Sequence, residues 1–366
     1  MVSMKNDNLV EIILAILIGL STGLNGLISY CFLATFSKLE FGRDNYATHG
    51  LVSGSSRLGG IAIIFTMLVG TIINLYLIQK LSLQSFFSEM MGLMVLCSLL
   101  ISLIGLTEDI SQKLSSMRRL VFITFFVALS LLYMDDILPS KLSFFGLYDL
   151  KLSPIIFIIS VVMTVGFINA GNMADGANGL FALISTFFFI MLYSQYETLS
   201  YLTLIVGLIS FSLYNIATGK IFLGDCGSYF LSSLIAFSSL KAHLELNLPI
   251  FLFASFLIYP CFEIVKSIYL RLVSNAPIMS PDNMHLHNYV NDYYLSLGLK
   301  NHASNSMTGI SIAVISSLPA MYSFFILRIF DGNYWLLLFI CEFLVLILSY
   351  KFISKASIKN EINLDQ

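Results

Sequence analysis

Four short stretches of this 366-residue chain concentrate side chains that can bind phosphate, hold a metal or move a proton. In "FLGDCGS", Asp225 stands between Gly224 and Gly227, which let backbones approach closely. Read alone, it is a helix N-cap or a ligand for Mg²⁺, which is commonly held by one or two carboxylates plus substrate phosphates. "NAGNMADGANGL" places Asn169, Asn172, Asp175 and Asn178 at i, i+3, i+6 and i+9. Its glycines predict a helix break near Gly176, with polar groups lining a cavity. Amides bonding one another between helices would account for the asparagines. They would not account for Asp175, because a carboxylate at membrane depth is costly. "GLTEDIS" supplies the adjacent acids Glu108 and Asp109, and Arg118 and Arg119 follow about nine residues later. These acids could be merely solvated or capping, but acids beside phosphate-binding arginines suit phosphoryl transfer. "HLH" gives His285 and His287, a poor metal pair on a helix but one able to contact phosphate or assist acid–base chemistry. The Asp-Asp pair at 135–136 lies apart from every other cluster and reads as a solvated loop.

These residues interrupt a chain that is 57% hydrophobic and 11% charged, with a mean hydropathy of +0.87. A soluble domain carries roughly 25% charge, so this is an integral membrane protein. Apolar runs of spanning length predict helices at about 9–37, 58–79, 90–107, 120–134, 155–169, 180–195, 199–217, 226–241, 249–270, 307–328 and 334–352. The expected fold is all-α and polytopic, with about eleven transmembrane helices in a single domain, 1–366. The first run is too long for a signal peptide and lacks a small-residue cleavage site. Cys31, Cys97, Cys226, Cys261 and Cys341 lie in or beside apolar runs without CxxC spacing and read as small core residues.

Lys and Arg gather on the cytoplasmic side of membrane proteins. An outside N-terminus and a cytoplasmic C-terminus divide the 19 basic residues 13 to 6 in favour of the inside. The cytoplasmic loops are then about 38–57, 108–119, 170–179, 218–225 and 271–306. All the polar clusters fall on them except Asp135-Asp136, which falls outside. Convergence on one face predicts a single site used on a cytoplasmic substrate.

With these motifs in this order, the chain resembles the polyprenyl-phosphate N-acetylhexosamine-1-phosphate transferases, relatives of the translocase that starts peptidoglycan lipid synthesis. The matching signs are the acidic pair after the third span, "NAGNMADGANGL", "FLGDCGS" and "PDNMHLH". Weaker matches are "THGLVSGSSRLGG", around His49 and Arg57, and "PCFEIVKSIYLRL", around Pro260, Glu263 and Arg271. The resemblance runs from about residue 30 to 350. It implies transfer of a sugar-1-phosphate from a UDP-sugar to undecaprenyl phosphate, with release of UMP, in a bacterial inner membrane. It implies Mg²⁺, with Mn²⁺ as the alternative, on Asp225. Asn172 and Asp175 would line the metal and diphosphate site, Phe222 would stack on uracil, and Gly176 and Asn178 would contact its edge. Arg119, and Arg57 from the first loop, would hold phosphate, and His285 and His287 would lie near the diphosphate. No nucleic-acid partner is implied; relatives suggest a homodimer.

The departures are Glu108 for the first acid of the usual Asp-Asp, Asn288 for a third histidine, Asn178 for an acid and Ser56 for a proline. The implied chemistry is attack by a polyprenyl-phosphate oxygen on the β-phosphorus. Asp109 would place the acceptor or a metal-bound water, take a residual proton, or form a covalent aspartyl-phosphate. The variants in the acidic pair and the histidine loop look more like the branch that starts O-antigen, capsule or related surface polysaccharides, lipopolysaccharide included. The alternatives are the UDP-MurNAc-pentapeptide transferase of peptidoglycan synthesis, a transporter or flippase that binds the same ligands, and a scaffold that has lost activity.

Overall fold

A chain in hydrocarbon must satisfy its backbone hydrogen bonds within itself, and the apolar runs do so as helices. The computed structural model describes residues 2–43, 54–81, 89–139, 142–144, 148–150, 153–277 and 284–364. His49, Pro281 and Asp282 lie outside the described residues. The helices are α1 (Val2–Phe36), α2 (Gly59–Leu81), α3 (Glu89–Ser111), α4 (Ser116–Tyr133), α5 (Ser153–Ala174), α6 (Leu180–Tyr196), α7 (Leu199–Thr218), α8 (Gly224–Leu246), α9 (Ile250–Phe256), α10 (Ile258–Val273), α11 (Leu286–Ser296), α12 (Asn301–Met321) and α13 (Gly332–Leu364). A short antiparallel hairpin, β1 (Leu142–Phe144) with β2 (Tyr148–Leu150), pairs Ser143 with Asp149.

Each of the eleven apolar runs coincides with a helix or a pair of helices. Six described helices are long and apolar enough to cross a membrane, or seven if the bent pair α9–α10 counts as one span. That pair corrects the expected straight run at 249–270, because its halves meet at 86°. Pro260 explains how the chain can turn there. It sits in the first turn of α10, where its missing N–H has no helical partner to lose. A second proline, Pro319, lies inside α12, and the next turn widens into a π-helix over Tyr322–Ile326, a common response to a lost helical bond.

The core centres on α8, whose Tyr229, Phe230, Leu231, Leu234, Ile235 and Phe237 are buried. Its N-terminal turn is gripped by neighbouring backbone. A Cβ on Gly60 would lie 2.2 Å from Gly227 Cα, and one on Gly105 would lie 2.4 Å from the Asp225 carbonyl carbon. Glycine at those two positions lets α2 and α3 close on the turn that carries Asp225.

The polar connections are shorter than the sequence implies. Glu108 and Asp109 belong to the last turns of α3, Arg118 and Arg119 to the first turn of α4, Asn172 to the end of α5, and Asp225 to the start of α8. The connections proper are 112–115, 175–179 and 219–223. The stretch expected as one long loop, 271–306, holds the end of α10, all of α11 and the start of α12. Helical bonding thus continues into the polar residues until a special conformation ends it. Gln112 (φ 52°) after α3 and Gly219 (φ 59°) after α7 mark such points, whereas Gly179 (φ 75°) is the residue from which α6 starts. Asp135 and Asp136 are exposed in a single 3₁₀ turn after α4.

Candidate active site

Asp225 is buried in the first turn of α8. It caps nothing with its side chain. Its Oδ1 accepts from Asn172 Nδ2 (2.9 Å) and Arg57 Nη2 (3.4 Å), and its Oδ2 accepts from Arg119 Nη1. Asn172 also donates to Ser228 Oγ (3.0 Å), one turn along α8. The capping task falls to Asp109. This fully buried carboxylate, from α3, accepts the Asp225 N–H on Oδ1 (3.0 Å) and the Cys226 N–H on Oδ2 (2.8 Å). Both are N-terminal amides with no partner inside α8. Arg57 Nε lies 3.1 Å from Asp109 Oδ1, so one buried guanidinium spans both acids. Gly224, which precedes Asp225, has φ +72°, and a Cβ there would lie 2.2 Å from the Arg57 carbonyl oxygen.

A small open pocket is lined by Arg57, Asn172, Asp175, Phe222, Gly224 and Asp225. Asp175 follows the last residue of α5. Burial, and then the carboxylates of Asp225 and Asp109, push its carboxyl well above the usual carboxylate range, against the pull of Arg57 and the Gly224 N–H. Two acids that disfavour each other's charge are the surroundings in which a cation is stabilised. Among the described residues no three His, Cys, Asp or Glu side chains converge as a metal cluster. Two carboxylates and an amide oxygen match the sparse oxygen set that serves Mg²⁺ when a substrate phosphate completes it.

The histidines form a second group. Glu263, buried on α10, accepts the Leu286 N–H on Oε1 (2.8 Å). Its Oε2 lies 2.8 Å from His285 Nδ1 and accepts from Lys266 Nζ (2.7 Å). Lys266 also donates to the Met284 carbonyl (2.7 Å) and lies over the Tyr350 ring. The two imidazoles stack at 5.2 Å and 8°. His287 Nδ1 bonds the Tyr259 hydroxyl (2.9 Å). Its Nε2 edge packs on Gly176, where a Cβ would lie 2.0 Å away. The residue after Asp175 is therefore the junction between the two groups.

The structure thus joins Asp225, Asp175, Asn172, Phe222, Arg57 and Arg119, with Asp109 directly behind them, and sets His287 against Gly176 with His285 stacked on it. It leaves two expected site residues elsewhere. Asn178 is buried away from the pocket: its N–H donates to Asn305 Oδ1, its Nδ2 to Ser306 Oγ, and its Oδ1 accepts from Asn215. Glu108 Oε2 accepts the Leu114 N–H (2.8 Å) and closes the α3–α4 turn. Residues that the sequence left without a role include Lys266, Tyr259, Asn215 and Asn305. Glu263 stood in a weak motif, again with no role. The detectable signal was a Glu-Lys pair at i, i+3 inside an apolar run, since charge at such depth is seldom incidental.

Known proteins resemble this chain over the region that carries most of these residues. The sequence profile described as "Glycosyl transferase family 4" matches residues 91–243, which hold the acidic pair, Arg119, the asparagine-rich stretch, Phe222 and Asp225. The chain is 26% identical over 307 residues to the probable undecaprenyl-phosphate N-acetylglucosaminyl 1-phosphate transferase of Bacillus subtilis, covering 79% of this chain and 77% of the relative. It is 31% identical over 193 residues to the undecaprenyl-phosphate alpha-N-acetylglucosaminyl 1-phosphate transferase of Thermotoga maritima, covering 52% of this chain and 59% of the relative. It is 25% identical over 243 residues to the phospho-N-acetylmuramoyl-pentapeptide-transferase of Staphylococcus epidermidis, covering 59% and 72%.

Proposed function

We propose that the chain, which the family described as Glycosyl transferase family 4 matches over residues 91–243, is a member of that family and moves a sugar-1-phosphate from a UDP-sugar to undecaprenyl phosphate. The observation that carries this reading is the pocket itself. Asp225, Asp175 and Asn172 line one opening, with Arg57 and Arg119 on Asp225. Such a site suits a diphosphate and a divalent cation better than a neutral ligand. The basic-residue split supports a site at the cytoplasmic face, where a nucleotide sugar is found, with the N-terminus outside and a membrane-bound acceptor within reach. A bacterial inner membrane fits this arrangement.

Asp225 and Asp175 are the residues that would hold Mg²⁺, with Mn²⁺ as the alternative. The bound ion would offset diphosphate charge and make UMP a better leaving group. Arg119, the half-buried partner of Asp225, is placed to take phosphate charge as well. Phe222 forms an apolar wall for the base, and His285 and His287 complete the opposite side across Gly176. In the reaction, a terminal oxygen of the polyprenyl phosphate forms a bond to the β-phosphorus. The bond from that phosphorus to the bridging oxygen breaks, and UMP departs with the oxygen and the electron pair. A phosphate monoester has a second pKa near ~6, so the nucleophile is already largely ionised. Asp109 then need not act as a base. With both oxygens on amides of α8, it fits the role of holding Asp225 in place, and a covalent aspartyl-phosphate would require it to leave those amides.

The proposed donor is a UDP-N-acetylhexosamine, and the lipid-linked product would start a surface polysaccharide such as O-antigen. The Bacillus and Thermotoga relatives, named for N-acetylglucosaminyl transfer, support that choice. The Staphylococcus relative supports a second donor, UDP-MurNAc-pentapeptide. One experiment separates them. Membranes containing the protein are given undecaprenyl phosphate, Mg²⁺ and a panel of UDP-sugars, and UMP release is followed together with sugar entering the lipid phase. UMP release with one donor names the sugar. No UMP with any donor, from folded protein, removes the transferase reading and leaves binding without chemistry.

A further inference from the structure

Glu263 has three polar partners, as many as Asp225 or Asp109. It is fully buried, its Oε1 takes the Leu286 N–H, and its Oε2 takes both the Lys266 ammonium and His285 Nδ1. The three donors come from both sides of the turn that carries the histidines, and Lys266 ties the same turn again through the Met284 carbonyl. A carboxylate that already accepts an ammonium proton is an acceptor only. The bond at 2.8 Å therefore requires His285 to carry a proton on Nδ1. The neutral ring then has its lone pair on Nε2.

We propose that Glu263 is the positioning residue of the histidine half of the site. It holds the Nδ1–H of His285, so that Nε2 is the nitrogen that takes up a proton and donates it to the substrate phosphate. The assignment rests on the transferase reading for its substrate, but not for its tautomer. An orienting carboxylate behind a functional imidazole sets both ring angle and proton position. Lys266 balances the buried Glu263 charge, and its placement over the Tyr350 and Phe262 rings keeps the ammonium there. His287, stacked on His285 and held by Tyr259, extends the platform to Gly176.

The test uses the full-length protein in detergent or nanodiscs, labelled with ¹⁵N-histidine, with His285 assigned by the signal missing from His285→Gln. In the unmodified protein the His285 resonances should show the Nδ1–H tautomer; the Nε2–H tautomer overturns the proposal without any variant having to fold. Glu263→Gln keeps the shape and can still accept the Leu286 N–H, but its NH₂ then replaces the oxygen shared by Lys266 and His285, so the Lys266 bond is lost and the amide donates toward Nδ1. We expect the His285 signature to invert to Nε2–H, and kcat to fall roughly 10–100-fold, the usual cost of losing an orienting partner. KM for the UDP-sugar should stay within about threefold, because the ring remains but its proton is misplaced. An unchanged signature with unchanged kcat overturns the proposal. If the unmodified protein releases no UMP from any donor, the transferase reading fails, while the tautomer result still decides the role of Glu263.

Discussion

The acid–arginine half of the site and the histidine half solve opposite problems. In the first, negative charge is in excess. Asp225, Asp175 and Asp109 crowd together, and Arg57 and Arg119 are brought in from distant parts of the chain to compensate. The Arg57–Asp225 pair joins residues 168 apart in sequence, and Arg119–Asp225 joins residues 106 apart. In the second half a single carboxylate, Glu263, organises donors. Its partners are local: Lys266 is three residues away and His285 is 22. The difference teaches that the first half is a charged cavity set by how whole helices dock. The second is a rigid platform set by one helix and the turn that returns to it. Gly176 is where they meet.

The comparison predicts its own largest effect. Asp225→Ala removes the carboxylate on which Asn172, Arg57 and Arg119 converge, and both arginines lose that partner. We expect UMP release to fall by at least ~10³-fold, as for loss of a principal electrostatic group, and dependence on added Mg²⁺ to be lost with it. Turnover within tenfold of the unmodified protein would show that the acid half is structural.

Asp109→Asn sharpens the division of labour inside that half. An amide at this position cannot accept both the Asp225 and Cys226 N–H groups, so an N–H would face an NH₂ in a buried setting. Arg57 would also lose a buried partner. We expect a loss of about 2–4 kcal/mol in stability, read as an earlier thermal transition, together with the loss of activity. A variant as stable as the unmodified protein but inactive would instead make Asp109 a chemical participant.

Gly176→Ala tests the junction. The new methyl would meet His287 Nε2 at 2.0 Å, and the ring is held by its bond to Tyr259 and its stacking on His285. Overpacking of this kind costs about 1–3 kcal/mol. The histidine turn must shift, so activity should fall more than stability does. Full activity in this variant would separate the two halves and remove the histidines from the site.

How much of this could be read from the chain alone follows from the same contrast. The helices were legible because an apolar run of spanning length has few other structures available. Asp225, Asp175, Asn172 and Phe222 were legible as a group because their spacing with glycine is unusual in such a chain. Their partners were not. Nothing near Arg57 in sequence says that it bridges two acids, and nothing near Asp109 says that it caps a helix beginning 115 residues later. Asn178 shared the motif's spacing, yet the αL turn at Gly179 follows it and its amide docks on α12. The bend at Leu257 was hidden because an apolar run has no sign of direction, and a proline in a first turn is compatible with a straight helix as well as a broken one.

The smallest expected effect is the control for all the others. Asp135 and Asp136 are the only adjacent aspartates in the chain, and a search for paired metal-binding acids would choose them. They are exposed in a 3₁₀ turn at the C-terminal end of α4, whereas Arg119 meets Asp225 from that helix's first turn. The 18 residues of α4 separate the two ends by about 27 Å at 1.5 Å per residue. At that distance, with solvent around the pair, screening leaves no useful field at the pocket. The double substitution Asp135→Asn, Asp136→Asn should leave UMP release unchanged and shift stability by no more than about 0.5 kcal/mol. A large loss of activity would place charge-dependent function at the far end of the bundle, and the one-ended site would have to be abandoned in favour of polar groups working at both faces, as a transporter requires.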